Sequence, residues 1–264
     1  MIPLRDSIPS STTPFVNYSM IAVCIAVFAW QHSSGEAESV LRFGMVPARV
    51  SHPDQDILVK EPIVVETSLG RREIVQAVKL KKASVPEWAT LLTCVFLHGG
   101  LMHLAGNLWF LHIFGDNVED RLGHLGYFVF YIVCGLAAST IHYLSSPEST
   151  VPTIGASGAI AGVMGAYMLL YPRSRVESIV PIFFILQIIV IPAPIFLGIW
   201  FVMQLANGTF AMGDVSAGGV AWWAHIGGFV AGFIIAWFLR NGGATRPQVT
   251  VIRPASEQRI YYRR

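Results

Sequence analysis

The chain has 264 residues, of which 53% are hydrophobic and 13% charged, and its mean hydropathy is +0.56. Soluble domains carry about 25% charged residues, so this composition excludes an ordinary soluble protein and indicates a membrane protein. The formal net charge of +2, without basic runs interleaved with aromatic residues, excludes a nucleic-acid-binding protein.

Apolar stretches along the chain are compared with the roughly 17–25 residues that a helix needs to cross a bilayer. Six stretches are predicted to span it: residues 15–33, 98–117, 125–144, 157–172, 179–206 and 219–240. The first is interpreted as an uncleaved signal-anchor, because no small-residue cleavage site follows it. Pro192 and Pro194 predict a kink in the fifth. We therefore expect an all-α membrane protein, a bundle of six transmembrane helices.

The connections contain few clear patterns. Residues 34–90, between the first two stretches, carry charges of both signs that nearly cancel. Within them, residues 57–65 and 74–80 suggest short strands or amphipathic surface pieces. The charged cluster at the end of the second stretch is expected to form a local ion pair; its members are Asp116, Glu119, Asp120 and Arg121.

Arginines predict the orientation, because cytoplasmic loops of membrane proteins are enriched in Lys and Arg. The basic residues near the ends of the stretches are Arg121, the pair Arg173 and Arg175, and six arginines from Arg240 onwards. Residues 145–156 and 207–218 contain neither Lys nor Arg. Six spans with both termini in the cytoplasm satisfy all of these observations.

The predicted organisation follows from these assignments. A cytoplasmic N-terminal segment, residues 1–14, precedes a six-span domain, residues 15–240, and a polar cytoplasmic tail, residues 241–264, follows it. Residues 34–90 then form a long external loop between helices one and two. A compact chain with no targeting presequence favours the cell membrane as its location.

Three polar residues on different spans are predicted to lie at one depth. Ser157 precedes Arg173 by 16 residues, His225 precedes Arg240 by 15, and His103 precedes Glu119 by 16. At 1.5 Å per residue, each lies about 22–24 Å above the cytoplasmic boundary. Asn107 lies one turn deeper than His103 on the same helix face. This convergence suggests one polar site near the outer surface.

A serine becomes a nucleophile at neutral pH when a base accepts its proton. Ser157 is at a helix N-terminus, which favours a developing oxyanion, and His225 is the candidate base. Two structural alternatives stay open. Ser157 can be one more small residue on a packing face with Gly155 and Gly158, and a histidine in a span can be a hydrogen-bonded structural group. Because no Asp or Glu lies near this depth, a Ser/His dyad without a carboxylate is expected.

His103 and Asn107 can donate hydrogen bonds to a tetrahedral oxyanion. A histidine cluster can instead bind a metal, but that needs a third ligand, and the chain has no His-Glu-x-x-His pattern, so no metal is predicted. His98 is expected to brace the loop that enters the second span.

Together these residues resemble the rhomboid family of intramembrane serine proteases. The matching elements, in the family order over roughly residues 88–240, are His98-x4-His103-x3-Asn107, Glu119-Asp-Arg-Leu-Gly123, Gly155-Ala-Ser157-Gly158 and Ala224-His225-x-x-Gly228-x-x-x-Gly232. The resemblance implies a six-helix bundle with an outward-opening water cavity. It also implies hydrolysis, without a cofactor, of peptide bonds in or near transmembrane segments.

The resemblance assigns roles position by position. Ser157 would be the nucleophile and His225 the general base and acid, and the Ser157 N–H, His103 and Asn107 would form the oxyanion hole. Two positions depart from the pattern of many members. An external Trp-Arg pair is here Trp88-Ala89, and the aromatic residue one turn after the nucleophile is Ala161, so the orientation of His225 depends on other packing, such as Trp222 or Trp223.

The implied partners are single-span transmembrane protein substrates and the lipid bilayer. One alternative is a non-proteolytic relative that binds transmembrane helices; such relatives typically lack the serine or the histidine, and both are present here. A transporter is a second alternative, but it predicts intramembrane carboxylates or inverted repeats. The sequence does not name the substrate, the cleavage position or the oligomeric state.

Overall fold

The computed structural model describes residues 1–67, 70–182, 185–211 and 220–247, and the predicted tail lies outside the described residues from position 248 on. Within these residues the chain is mostly helical. The helices are α1 (Phe15–Ser34), α2 (Glu36–Phe43), α3 (Pro47–Ser51), α4 (Thr90–Thr93), α5 (Leu101–Leu122), α6 (His124–Ser145), α7 (Ser157–Leu170), α8 (Ala193–Ala211) and α9 (Trp222–Asn241). The strands are β1 (Ile2–Asp6), β2 (Leu58–Thr67), β3 (Gly70–Lys79), β4 (Arg175–Ile182) and β5 (Ile185–Pro192).

Four of the described helices are long and apolar enough to cross a membrane, namely α1, α6, α8 and α9. Helix α5 meets the same criterion together with the short helical segment Glu87–Phe96, from which it is bent by 78°. Helix α7 is apolar but has 14 residues, about 21 Å at 1.5 Å per residue, which is less than the hydrocarbon thickness. The chain is therefore a multi-pass membrane protein.

The predicted fifth span covers residues 179–206, and its first half is wrong. β4 and β5 occupy this part of the chain, and α8 begins at Ala193. β-branched residues dominate the two strands and favour a pleated surface over a helix. Pro192 ends β5, and Pro194 lies in the first turn of α8, where a missing N–H removes no helical hydrogen bond. The two prolines therefore mark the start of a helix rather than a kink within one.

Two antiparallel sheets accompany the helices. β4 and β5 form a hairpin, and β1 pairs with β4, so that the strand order is β1-β4-β5. Arg5 and Glu177 form an ion pair of 2.7 Å across β1 and β4. β2 and β3 form the second hairpin, so the weak pattern at residues 57–65 and 74–80 corresponds to strands. Strand β1 was not predicted from the sequence.

The C-terminal end of α5 binds segments from both ends of the described chain. Glu119 accepts hydrogen bonds from the backbone N–H groups of Val16, at 3.0 Å, and Asn17, at 2.8 Å, in the first turn of α1. Asp120 accepts from the backbone N–H of Thr12 at 3.0 Å, and Arg121 donates to the carbonyl of Arg246 at 2.6 Å. A local ion pair is present, but with a residue outside the predicted cluster: Glu119 also contacts Nδ1 of His124. Asp120 and Arg121 instead bind backbone groups of other segments.

Arg49 connects the pieces of residues 34–90 to each other. Its guanidinium is buried, with 3% of the side chain exposed, and forms an ion pair of 3.2 Å with Glu87. It also donates to three backbone carbonyls, those of Leu41 at 2.6 Å, Lys81 at 2.8 Å and Gly44 at 2.8 Å. A buried charge needs such partners, so this one side chain fixes α2, α3 and the segment after β3 relative to one another.

Helices α7 and α9 approach at backbone distance along a ladder of glycines. A Cβ built on Gly228 would lie 1.9 Å from the carbonyl oxygen of Gly158, and one built on Gly232 would lie 2.0 Å from that of Gly162. Any side chain at these positions would force the helices apart, so the glycines permit the contact. This contact places the N-terminus of α7 beside the first turns of α9.

Candidate active site

The N-terminus of α7 and the second turn of α9 bring two of the predicted residues into contact. The hydroxyl oxygen of Ser157 lies 2.8 Å from Nε2 of His225. Both side chains are partly buried, so the pair is accessible from the surface. Ser157 therefore lies on the glycine-rich packing face of α7 and is also hydrogen-bonded to His225. Its interpretation as a small packing residue and its interpretation as a nucleophile do not exclude each other.

Gly155 shapes the turn that begins α7. Its φ of +126° lies in the region that disfavours residues with a side chain, and its N–H donates to the carbonyl of Cys94 at 2.9 Å. The chain turns there, and helix α7 begins at Ser157 with its first N–H groups free of intrahelical partners. A helix N-terminus carries a partial positive charge, so this turn presents N–H donors and a favourable field beside the Ser157 hydroxyl.

His103 lies beside the same turn. A Cβ built on Gly155 would lie 2.8 Å from Nε2 of His103 and 3.5 Å from the Ser157 hydroxyl oxygen, so the two groups face each other across this glycine. The N–H of Gly99 donates to Nδ1 of His103 at 3.4 Å. In a neutral ring, the nitrogen that accepts is unprotonated and the other carries the hydrogen, so Nε2 of His103, which lies next to Gly155, carries the N–H donor.

Asn107 lies one turn further along α5. The residue is 8% exposed, and its Nδ2 is buried without a hydrogen-bond partner in the part of the chain that the structure describes. Buried amide groups are nearly always paired, so an unpaired donor on the face of α5 that also carries His103 calls for a functional explanation.

His98 braces the entry to α5, in the position expected from the sequence. Its backbone N–H donates to Oε1 of Gln31 at 3.0 Å, and Nε2 of Gln31 donates back to its carbonyl at 3.2 Å. The ring packs edge-on against His103 with 5.3 Å between ring centroids. Among the described residues, no group of three His, Cys, Asp or Glu side chains converges in a way that could hold a metal ion.

Two aromatic side chains pack against the ring of His225. Trp222, one turn before it in α9, meets it edge-on with 6.2 Å between centroids, as one of the two candidates from the sequence. Trp200 of α8 lies 5.9 Å away at an interplanar angle of 37°. Trp200 was not predicted, because nothing in the sequence shows which face of α8 meets α9.

Gln204, also on α8, is a further residue that the sequence analysis missed. Its Oε1 lies 2.8 Å from Nδ1 of His225, and 7% of the residue is exposed. It is the one strongly polar residue between positions 193 and 206 of the sequence. Polar residues inside transmembrane segments frequently mark functional sites, and that rule could have singled it out.

Comparison with known proteins gives consistent matches. The model of the Rhomboid domain matches residues 85–242. Among curated proteins, RHOMBOID-like protein 5 of Arabidopsis thaliana is 27% identical over 198 residues, which are 74% of this chain and 57% of that protein. Rhomboid-like protein 11, chloroplastic, of the same plant is 28% identical over 159 residues, 58% of this chain and 53% of that protein.

A bacterial relative is also similar. Rhomboid protease GluP of Bacillus subtilis (strain 168) is 33% identical over 150 residues, which are 57% of this chain and 26% of that protein. The chain thus spans little more than half the length of the two plant relatives and about a quarter of the bacterial one. Since the matched domain covers more than half of the 264 residues and includes the whole site described above, the chain belongs to the rhomboid family.

Proposed function

We propose that this protein is an intramembrane serine endopeptidase that hydrolyses peptide bonds in or near the transmembrane segments of single-span membrane proteins. The observation that carries the proposal is the 2.8 Å contact between the Ser157 hydroxyl and Nε2 of His225. A nucleophile within hydrogen-bond reach of its base is the arrangement that acyl transfer requires. The similarity to a relative named a rhomboid protease supports the same activity.

In the first step, Oγ of Ser157 attacks the carbonyl carbon of the scissile peptide, and its proton passes to Nε2 of His225. The carbonyl oxygen becomes an oxyanion. The Ser157 N–H, Nε2–H of His103 and Nδ2–H of Asn107 are the donors proposed to bind it, and the unpaired, buried Nδ2 of Asn107 supports this role. Each such donor typically contributes about 10²–10³ in rate.

In the second step, the imidazolium of His225 gives its proton to the leaving nitrogen, and the C–N bond breaks, which leaves an ester on Ser157. Water then attacks the ester while His225 takes one of its protons. Collapse of the second tetrahedral intermediate releases the new carboxyl terminus, and the proton returns from His225 to Oγ. The cycle uses one water molecule, restores both side chains and calls for no cofactor or metal.

The proposed topology has six spans over residues 15–240: α1, α5, α6, α7, α8 and α9. Residues 1–14 and the tail, residues 241–264, lie in the cytoplasm, and residues 34–90 lie outside. Contacts among the described residues support this assignment. Thr12 and Arg246 both bind the C-terminal end of α5, so the two terminal segments share one side.

The opposite side is supported in the same way. Met45 and Thr153 pair through both backbone N–H groups, at 3.1 and 2.7 Å, so residues 34–90 lie with the connection that precedes Ser157. This connection contains no Lys or Arg, as an external loop should. The site then opens to the outside of the cell membrane, and a single helix entering from the bilayer is the substrate that reaches this depth.

Active-site labelling tests the proposal. Purified protein is treated with a fluorophosphonate probe, which phosphonylates activated serines with loss of fluoride, and is incubated in parallel with a generic single-span substrate. Ser157→Ala and His225→Ala should both lose labelling and cleavage. Ser19→Ala and His112→Ala are matched controls: the Ser19 hydroxyl donates to the carbonyl of Phe15 within α1, and His112 is an exposed residue of α5.

The controls should retain the wild-type rates of labelling and cleavage. Undiminished cleavage by Ser157→Ala would refute the assigned nucleophile. A well-folded wild-type protein that neither labels nor cleaves would refute the proposed activity and favour the hypothesis of a non-proteolytic helix-binding relative.

A further inference from the structure

We propose that Gln204 is a positioning residue for His225. Helix α8 would then supply the third member of a Ser157–His225–Gln204 hydrogen-bonded chain, on the side of the histidine opposite the serine. The inference rests on the proposed protease function and deepens it. Its basis is the pair of contacts on one imidazole: Nε2 lies 2.8 Å from the Ser157 hydroxyl oxygen, and Nδ1 lies 2.8 Å from Oε1 of Gln204.

The chemistry of the amide oxygen fixes the tautomer of the ring. A carbonyl oxygen accepts hydrogen bonds and cannot donate them, so Nδ1 of His225 must carry the hydrogen in this contact. Nε2 of the neutral ring is then unprotonated and can accept the proton of Ser157, as a general base must. In serine proteases of other folds, a carboxylate performs this orienting role, and its loss leaves the wrong tautomer.

The packing of α8 supports a fixed position for this amide. Gln204 is 7% exposed, and Trp200, one turn earlier on the same helix face, packs on the His225 ring. One turn later, a Cβ built on Gly208 would lie 3.2 Å from Cβ of Trp222, so α8 approaches the start of α9 closely there. Three successive turns of α8 therefore hold the amide against the histidine.

An alternative role for Gln204 is structural, because polar side chains between transmembrane helices also join the helices. The two roles predict different measurements. A purely structural amide affects the melting temperature and lowers every activity in proportion to the folded fraction. A positioning amide changes the rate constant of the folded enzyme, and its replacement by a charged acceptor changes the pH dependence.

The experiment compares Gln204→Met, which keeps the length and removes the acceptor, with Gln204→Glu, which keeps an acceptor and cannot flip to donate. The readouts are the fluorophosphonate labelling rate per folded molecule, kcat and KM for a single-span substrate, the pH–rate profile and the melting temperature. Met203→Leu is the control, since Met203 is its sequence neighbour in α8 and is 54% exposed.

We expect Gln204→Met to lower the labelling rate and kcat by up to about tenfold with little change in KM, the upper end of what a lost hydrogen bond of ordinary strength gives. Gln204→Glu should restore labelling. Because a carboxylate favours the protonated imidazole, it should also move the acid limb of the profile to higher pH. Among the described residues, the other titratable side chains that act on His225 are His103 of α5 and His142 of α6, and both are present in every variant.

Two outcomes overturn the inference. One is a wild-type labelling rate and kcat in folded Gln204→Met; the other is a Gln204→Glu profile that coincides with that of the wild type while its labelling stays low. Failure of the proposed function is distinguished from both, because in that case wild type and Ser157→Ala would label alike. Met203→Leu should behave as the wild type in each readout.

Discussion

The glycine ladder between α7 and α9 predicts that one methyl group, remote from any reacting atom, inactivates the site. In Gly228→Ala the new Cβ would lie 1.9 Å from the carbonyl oxygen of Gly158, the residue after the nucleophile. Real Cβ atoms essentially never lie within 3.0 Å of a non-bonded heavy atom from elsewhere in the chain, so the two backbones must separate by about 1.1 Å there. Gly228 is one turn from His225, so the histidine moves with it.

The expected magnitude follows from that displacement. The distance from the Ser157 hydroxyl oxygen to Nε2 is 2.8 Å. A separation of this size takes it to about 3.9 Å, beyond hydrogen-bond range. A misplacement of about 1 Å costs about 10² in rate, so the labelling rate should fall roughly 100-fold. The free energy of unfolding should fall by less than the overpacking cost of about 1–3 kcal/mol, because alanine is favoured over glycine in a helix interior by about 1 kcal/mol.

Fluorophosphonate labelling per folded molecule, with the melting temperature beside it, measures both effects. Gly198→Ala is the matched control: it makes the same substitution in α8, where a Cβ would meet nothing within 4 Å. It should label at the wild-type rate with an equal or higher melting temperature. If Gly228→Ala labels as fast as Gly198→Ala, the close approach of α7 and α9 does not hold the dyad and the reasoning is refuted.

Three further predictions concern other parts of the molecule. Asn107→Leu should lower kcat about 100-fold with little change in KM, as expected for a donor used in the transition state. A large increase in KM with an unchanged kcat would contradict that role. Arg49→Met should lower the free energy of unfolding by about 3 kcal/mol because Glu87 loses its buried partner, whereas the exposed Arg42→Met should change it by less than about 1 kcal/mol in the same denaturation assay. Burial raises the pKa of Asp6 from 3.8 to about 6. The unfolded chain therefore ionises first, and the melting temperature of the wild type should fall relative to Asp6→Asn as the pH rises from 4 to 6; parallel curves would contradict this.

The spans could be predicted from the sequence where hydrophobicity and length agree. A single apolar run such as that of α6 crosses a bilayer as a helix, because a helix satisfies all of its backbone hydrogen bonds internally. The prediction failed at residues 179–192, since an apolar run of β-branched residues has no periodicity that separates a helix from strands. Pairing with β1 at the N-terminus decides the outcome, and such a long-range partner is not visible in a local pattern.

The candidate site was predictable to a different extent on each helix. Counting residues from the cytoplasmic boundary brings Ser157, His225 and His103 to one depth, because the rise per residue of a helix is fixed. The depth of a residue in the membrane does not show, however, which direction its side chain takes around the helix axis. Which residues of α8 face His225 depends on how that helix is rotated against α9, and this rotation is set by packing at Trp200 and Gly208, so Gln204 is apparent in the structure alone.

An amide in place of a carboxylate has a physical consequence. An ionised carboxylate buried between transmembrane helices is expensive unless further hydrogen-bond donors pair with it. A neutral amide can accept the Nδ1 hydrogen without that cost, although it stabilises the imidazolium less than a carboxylate would. The site then depends on placement more than on charge. The glycine contacts that hold α7 against α9 at backbone distance are the complement that such a neutral arrangement requires.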